Sequence, residues 1–243
     1  MTVLVVLPTY NERLNLERVA DGILAFPAAR LLVVDDASPD GTGRIADGLA
    51  ARYPGRVEVM HRTGPRGLGR AYADGLRRAL QTDADAICQM DADLSHNPTY
   101  LPSLTEALAR FDLVIGSRYL GGVNVVNWPL HRIMLSAFAN RYIRAITGLR
   151  AHDCTSGYRA WRRDALAKLP LDSAQANGYA FLTEMLFDAA RLGCSIGEVP
   201  IVFVERQEGY SKVSPAVLVE SLLTPWRLVL RRGRVGGRTA PAA

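Results

Sequence analysis

Lysine is nearly absent from this chain: among 29 Lys and Arg residues, only Lys168 and Lys212 are lysine. Cysteine is scarce too. Cys88, Cys154 and Cys194 lie far apart with no C-x-x-C pair, which predicts reduced, buried thiols in a cytoplasmic protein. The four histidines, His61, His96, His131 and His152, are dispersed and lack metal-ligand spacing. No G-x-S-x-G elbow or G-x-x-x-x-G-K-[ST] loop occurs. No helix-turn-helix, zinc-finger or RNP-type motif points to nucleic acid as a partner. The opening MTVLVVLP has neither a basic n-region nor a cleavage site, so it reads as a first strand rather than a signal peptide. No stretch reaches the ~20 apolar residues of a spanning helix. A soluble or peripheral protein is expected, with no transmembrane helix.

Acidic residues are missing from two places. None occurs between Leu113 and His152, where Arg118, Arg132, Arg141, Arg144 and Arg150 lie. None follows Glu220, where Arg227, Arg231, Arg232, Arg234 and Arg238 lie. The net charge is only +5, so its segregation says more than its size: it predicts an anionic partner such as lipid headgroups or phosphates.

What the chain does have is alternation. Apolar runs at 3–7, 31–34, 57–60, 86–90 and 113–115 read as strands. The intervening 14–24, 42–52, 69–80 and 101–109 read as helices. This pattern predicts an α/β protein with a Rossmann-like, mostly parallel sheet and helices on both faces. The later part adds a core helix at 181–191 and a strand at 196–204. Two amphipathic segments, about 128–148 and 213–230, either cover the core or lie in the plane of a membrane interface. In the first, Leu130, Ile133, Met134, Ala137, Phe138, Tyr142 and Ile146 form the apolar face, opposite Arg132, Ser136, Asn140 and Arg144. A single domain over 1–232 is expected, followed by a flexible basic tail at 233–243.

Ligands of open α/β sheets bind at the carboxyl ends of the strands, and the polar residues of this chain gather at those positions. The run 86–90 ends in Asp91-Ala92-Asp93, hard oxygen ligands suited to Mg²⁺ or Mn²⁺ beside a diphosphate; alone, such a pair also reads as a helix cap. The first strand ends in Pro8-Thr9-Tyr10-Asn11-Glu12, the second in Asp35-Asp36, the fifth in Gly116-Ser117-Arg118. Gly67-Leu68-Gly69 follows Arg62 and Arg66. In the segment Arg206-Gln207-Glu208-Gly209-Tyr210-Ser211-Lys212, a lysine stands beside Gly209 and Ser211, where a compact ammonium replaces the arginine used elsewhere.

Taken in order, PTYNE at 8–12, VDDASPDGT at 34–42, GLGRAY at 67–72, MDADLSH at 90–96, GSRY at 116–119, NWPLHR at 127–132, SGYRAWRR at 156–163 and RQEGYSK at 206–212 resemble one family. It is that of the family 2 inverting glycosyltransferases, within them the polyprenol (dolichol) phosphate mannosyltransferases. The resemblance covers nearly all of residues 3–230. It implies a GT-A fold, a nucleotide-sugar donor such as GDP-mannose, a divalent cation (Mg²⁺ or Mn²⁺), and a polyprenyl phosphate acceptor. It also implies peripheral association with the cytoplasmic face of an anionic membrane. Carried over residue by residue, it places Pro8, Tyr10, Glu12, Asp36, Arg66, Asp91 and Ala92 on the nucleotide sugar. Asp91, Asp93 and Ser95 fall at the metal. Arg118, Arg206 and Lys212, with Asp93, form the catalytic set that brings the donor diphosphate and the acceptor phosphate together. Arg66 stands where many relatives have lysine, and Ala180 where some lipid-phosphate-using members have lysine. The membrane-spanning tail of some relatives has no counterpart here. Alternatives are a relative using UDP-glucose or another nucleotide sugar, a non-lipid hydroxyl acceptor served by Asp93 or Glu184 as base, a sugar-nucleotide pyrophosphorylase, and a non-catalytic membrane-surface module.

Overall fold

The computed structural model describes residues 1–171, 179–205 and 215–235. Its strands are β1 (Val3–Thr9), β2 (Ala29–Asp35), β3 (Val57–His61), β4 (Ala86–Gln89), β5 (Leu113–Ser117), β6 (Val125–Val126), β7 (Arg159–Arg162), β8 (Ile196–Pro200) and β9 (Phe203–Val204). The helices are α1 (Leu16–Leu24), α2 (Thr42–Arg52), α3 (Leu68–Leu80), α4 (Leu101–Ala107), α5 (Leu130–Thr147), α6 (Arg163–Leu166), α7 (Tyr179–Arg191) and α8 (Pro215–Arg232). Among the described residues, seven strands form one sheet in the order β3-β2-β1-β4-β7-β5-β8, and β6 pairs with β9 beside it. All pairings in the large sheet are parallel except those of β7, which runs antiparallel to both β4 and β5.

β1 is buried along its whole length. Its alternate residues feed two cores. Val3, Val5 and Leu7 pack with α1, α2 and α4, whereas Leu4 and Val6 pack with α3 and α7. Helices therefore cover both faces, as the alternation predicted. Chain order reverses at the β1–β4 neighbourhood, because β2 and β3 extend one way from β1 and the later strands the other. That is the topological switch point where open α/β sheets hold ligands.

Two expectations are corrected, and two segments are placed. The strand at 196–204 is two strands: β8 ends at Pro200, and β9 leaves the main sheet to pair with β6. Cys88 and Cys154 are buried free thiols as expected, but Cys194 is only half-buried. The amphipathic α5 sits the other way round from a core-covering helix. Its supposedly polar side supplies the buried Asn140, while Leu130, Met134 and Phe138 are 70%, 63% and 59% exposed. Asn140 is inside because its side-chain oxygen accepts from the backbone N–H of Cys154 at 2.7 Å. Finally, residues 234 and 235, just past α8, dock on the end of α5. Val235 N–H donates to the Thr147 carbonyl at 3.0 Å, and Arg234 to that of Ala145 at 2.9 Å. These carbonyls are left over at the C-terminus of α5, where cationic side chains are also favoured. Gly148 makes the close approach possible: its φ is +80°, and a Cβ there would stand 2.9 Å from the Val235 oxygen. Residues 236–243 lie outside the described residues.

Candidate active site

Pro8, Asp35 and the residues after β4 and β5 all fall at the carboxyl edge of the sheet. Three of the four non-glycine residues with positive φ sit in the loops at this edge: Asn11, Ala37 and Leu94. Left-handed backbone is costly for alanine and leucine, and such strain concentrates at ligand-binding turns.

The loop after β4 is heavily braced. Asp91 is at the mouth, its side chain about one-third exposed, and its Oδ1 accepts from the Tyr72 hydroxyl at 2.8 Å. Its backbone N–H donates to His96 Nδ1 at 3.0 Å, so the proton of a neutral imidazole resides on Nε2. Burial lowers the pKa of His96, in keeping with that neutral form. Its ring stacks on Tyr158 with centroids 5.0 Å apart. Asp93 is buried and accepts from both the backbone N–H and the hydroxyl of Ser95. Ala92 has its methyl in the core, which leaves only its backbone for a ligand. Two carboxylates and a serine make a hard oxygen set. That suits a cation which keeps part of its water shell and shares phosphate oxygens. Among the described residues, no cluster of three or more His, Cys, Asp or Glu forms a closed metal cage.

On the β1–β2 side, Arg66 donates to the Tyr10 hydroxyl at 2.9 Å, and its guanidinium lies over the ring at 4.9 Å. Asp36 is buried between the Arg62 guanidinium and the backbone N–H of Gly67, the latter at 2.8 Å. Asp36, at the end of β2, thus shapes the Arg62–Gly67 loop. Glu12 accepts from the Asn15 amide at 2.9 Å, and its backbone N–H donates to Thr42.

Across the crevice, Arg118 is 6% exposed. Its Nε and Nη2 donate to the two carboxylate oxygens of Asp153, each at 2.7 Å, and Nη2 also reaches Thr155. Burial alone would raise the Asp153 carboxyl; the Arg118 guanidinium outweighs it and holds the pKa below the ordinary carboxylate value. The rings of Tyr119, Trp128 and Phe203 lie 5.5–5.7 Å from the guanidinium carbon. Arg132, at the start of α5, stacks on Trp128 at 4.2 Å and pairs with Glu205. The buried Trp128 Nε1 has no acceptor among the described residues.

The structure therefore gathers Pro8, Tyr10, Glu12, Asp36, Arg66, Asp91, Ala92, Asp93, Ser95 and Arg118 at one edge. Arg206 and Lys212 lie outside the described residues. Ala180 is buried in α7. Glu184, the alternative base, is half-buried and paired with Arg232; burial raises its pKa. Sequence reasoning gave no role to Tyr72, His96 or Asp153. The antiparallel β7 explains Asp153: the strand begins at the edge where the parallel strands end, so residues 153–158, which lead into it, fall there.

Residues 4–169 match the profile of Glycosyl transferase family 2. The chain is 47% identical over 246 residues to the undecaprenyl-phosphate mannosyltransferase of Micrococcus luteus, covering 97% of this chain and 100% of that one. It is 45% identical to the polyprenol monophosphomannose synthase of Mycolicibacterium smegmatis, covering 96% and 90%. Among solved structures, glucosyl-3-phosphoglycerate synthase from Mycobacterium tuberculosis, crystallised with Mn²⁺, UDP and glucosyl-3-phosphoglycerate, superposes with a TM-score of 0.67. The identity is 23%, over 97% of this chain and 81% of that one; that likeness is one of fold, of GT-A type. With the carboxyl-edge crevice, the braced Asp-Ala-Asp turn and these relatives together, the chain belongs to glycosyl transferase family 2.

Proposed function

We propose that this protein transfers mannose from GDP-mannose to a polyprenyl monophosphate at the cytoplasmic face of a membrane, by a single inverting displacement. The observation that carries this reading is the pairing of two environments. A diphosphate-suited Asp91/Asp93 turn shares the carboxyl edge of the sheet with a buried, fixed Arg118, and Arg118 adjoins, through Trp128, a helix whose apolar side chains are exposed.

Each residue has a task. Tyr10 and Arg66 offer a stacked, cationic wall for the nucleotide, and Asp36 and Glu12 offer acceptors for its N–H or hydroxyl groups. Asp91 and Asp93, with Ser95 beside them, would hold the divalent cation, which when bound supplies charge neutralisation to the departing diphosphate. A phosphate monoester is largely dianionic near neutrality, with a second pKa of about 6, so its oxygen attacks without a strong base. The remaining task is to bring two anions together. Arg118, Arg206 and Lys212 perform it by position and charge.

The acceptor side of the site is continuous with α5 through Trp128 and Arg132. Beyond them, Leu130, Met134, Leu135 and Phe138 of α5, and Leu222, Leu223, Trp226 and Leu230 of α8, are exposed. The two helices are joined by the Trp226 indole donating to the Tyr142 hydroxyl at 2.9 Å. Exposed apolar stripes rimmed by arginine suit an interfacial position. No helix among the described residues is long and apolar enough to cross a membrane.

The test is incubation with labelled GDP-mannose or UDP-glucose, Mg²⁺ or Mn²⁺, and a polyprenyl phosphate. Label from GDP-mannose in a mild-acid-labile lipid is the expected result. Label only from UDP-glucose would overturn the donor, and donor binding without turnover on any acceptor would overturn the catalytic reading.

A further inference from the structure

Tyr72 is the largest side chain that α3 turns into the core, and it is fully buried. Its neighbours on that buried side are small or aliphatic: Ala71, Ala73, Gly75, Leu76 and Ala79. A phenylalanine would satisfy such packing, whereas a phenol brings a hydroxyl that needs a partner when buried. The partner is Asp91, whose Oδ1 accepts at 2.8 Å. A phenol is protonated at neutral pH, and a carboxylate can only accept, so the hydroxyl is the donor in this pair.

The phenol is itself held from two sides. The ring of Phe181, from α7, stacks on it with centroids 6.3 Å apart and planes 7° from parallel. From the sheet side, α3 sits unusually close: a Cβ at Gly75 would stand 2.6 Å from Val6 Cγ1 and 2.8 Å from Val34 Cγ2. That close approach, one turn beyond Tyr72, fixes the depth at which the hydroxyl enters the site. With His96 holding the Asp91 backbone N–H, Asp91 is fastened at both its main chain and its carboxylate.

We propose that Tyr72 is a positioning residue for the divalent cation: it locks the Asp91 carboxylate in one orientation, leaving Oδ2 to the metal. The inference rests on the reading of Asp91 as a cation ligand. Groups that orient metal-bound carboxylates from outside the ligand shell typically change metal affinity by about 10–100-fold when removed. Tyr72→Phe keeps the ring and its stack on Phe181 and removes only the hydroxyl.

The experiment titrates Mn²⁺ into the full-length protein with saturating GDP, reading free Mn²⁺ by its electron paramagnetic resonance signal. Tyr72→Phe is expected to weaken Mn²⁺ binding by about 10-fold or more. The Mn²⁺ activation constant should rise in parallel, and kcat should recover at saturating Mn²⁺. Leu76→Ala loosens the same helix without touching the hydroxyl, and should lower the melting temperature while leaving Mn²⁺ affinity unchanged. Wild-type affinity in Tyr72→Phe, alongside lost affinity in Asp91→Asn, would overturn the role of Tyr72 and leave the cation reading standing. Wild-type affinity in Asp91→Asn would overturn the cation reading and this inference with it. Equal weakening by Leu76→Ala and Tyr72→Phe would assign the effect to packing and overturn the proposal.

Discussion

Arg118 is a buried cation held in one position by its neighbours. Two of its donors engage Asp153, which is itself fully buried, and three aromatic rings surround the group. Removing one partner of such a pair strands the other. Arg118→Ala should therefore cost about 3–5 kcal/mol of stability, measured by urea denaturation, besides abolishing transfer. Arg118→Ala combined with Asp153→Ala should recover much of the stability but none of the activity. The pH dependence has a defined sign. The Asp153 carboxyl titrates below its ordinary value in the folded protein. Its contribution is thus present above the unfolded carboxylate pKa of about 3.9 and is lost as pH falls through the folded value. Acid should unfold the wild type more steeply than the double variant. Asp93 differs in that the hydrogen bonds it accepts from Ser95 are local to its own turn. Asp93→Ala should leave the melting temperature near wild type while lowering turnover by at least about 100-fold, a typical loss for transition-state charge stabilisation. Wild-type turnover would remove Asp93 from the reaction.

Secondary elements differ in how openly the sequence announces them, and the reasons are physical. β1, β2, β4 and β5 are buried parallel strands, which read as continuous apolar runs, and their polar termini marked the crevice. β7 carries no such run: in RAWR two apolar residues stand between arginines, Arg159 buried and Arg162 exposed. What stabilises it is non-local. Arg159 donates to the carbonyls of Cys154, Ser156 and Leu182, and burial pushes its pKa down to about 10, still charged at neutrality. Nothing in the local sequence reports those carbonyls, so the loop that β7 delivers, with Asp153, had no legible role. Tyr72 was hidden for the same reason: a tyrosine at helical spacing reads as core until its hydroxyl's partner is known. The α3–sheet contact is likewise legible only in three dimensions, and it yields a prediction. Gly75→Ala would force its methyl against Val6 and Val34, overpacking that should cost roughly 1–3 kcal/mol. Calorimetry should show the lower melting temperature, and Mn²⁺ affinity should fall with it as Tyr72 is displaced. An unchanged melting temperature would mean that the helix shifts freely.

At the scale of the molecule, charge and apolar surface coincide on one side. The stretch without acids from Leu113 to His152 supplies α5 and Arg118, and the acid-free stretch after Glu220 supplies most of α8. The exposed arginines Arg141, Arg144, Arg227 and Arg231 accompany exposed leucines, Phe138 and Trp226. Such a face should bind vesicles by two separable contributions. The electrostatic one requires anionic lipid and weakens with salt, because the screening length shrinks from about 30 Å at 0.01 M to about 10 Å at 0.1 M ionic strength. The apolar one scales with buried side chains, about 1.5–3 kcal/mol for each large residue fully inserted. Met134→Ser together with Phe138→Ser should therefore reduce partitioning onto phosphatidylglycerol-containing vesicles by roughly 100-fold or more, in a co-sedimentation assay at low salt. Both residues are exposed, so the melting temperature should hold. Turnover of a short, water-soluble polyprenyl phosphate should hold as well, because neither side chain reaches the Asp91–Arg118 crevice, while turnover of a long-chain acceptor in vesicles should fall with binding. Equal sedimentation of variant and wild type would show that this face does not meet the bilayer. Under the proposed function, a lipid phosphate would then have to reach Arg118 by another route.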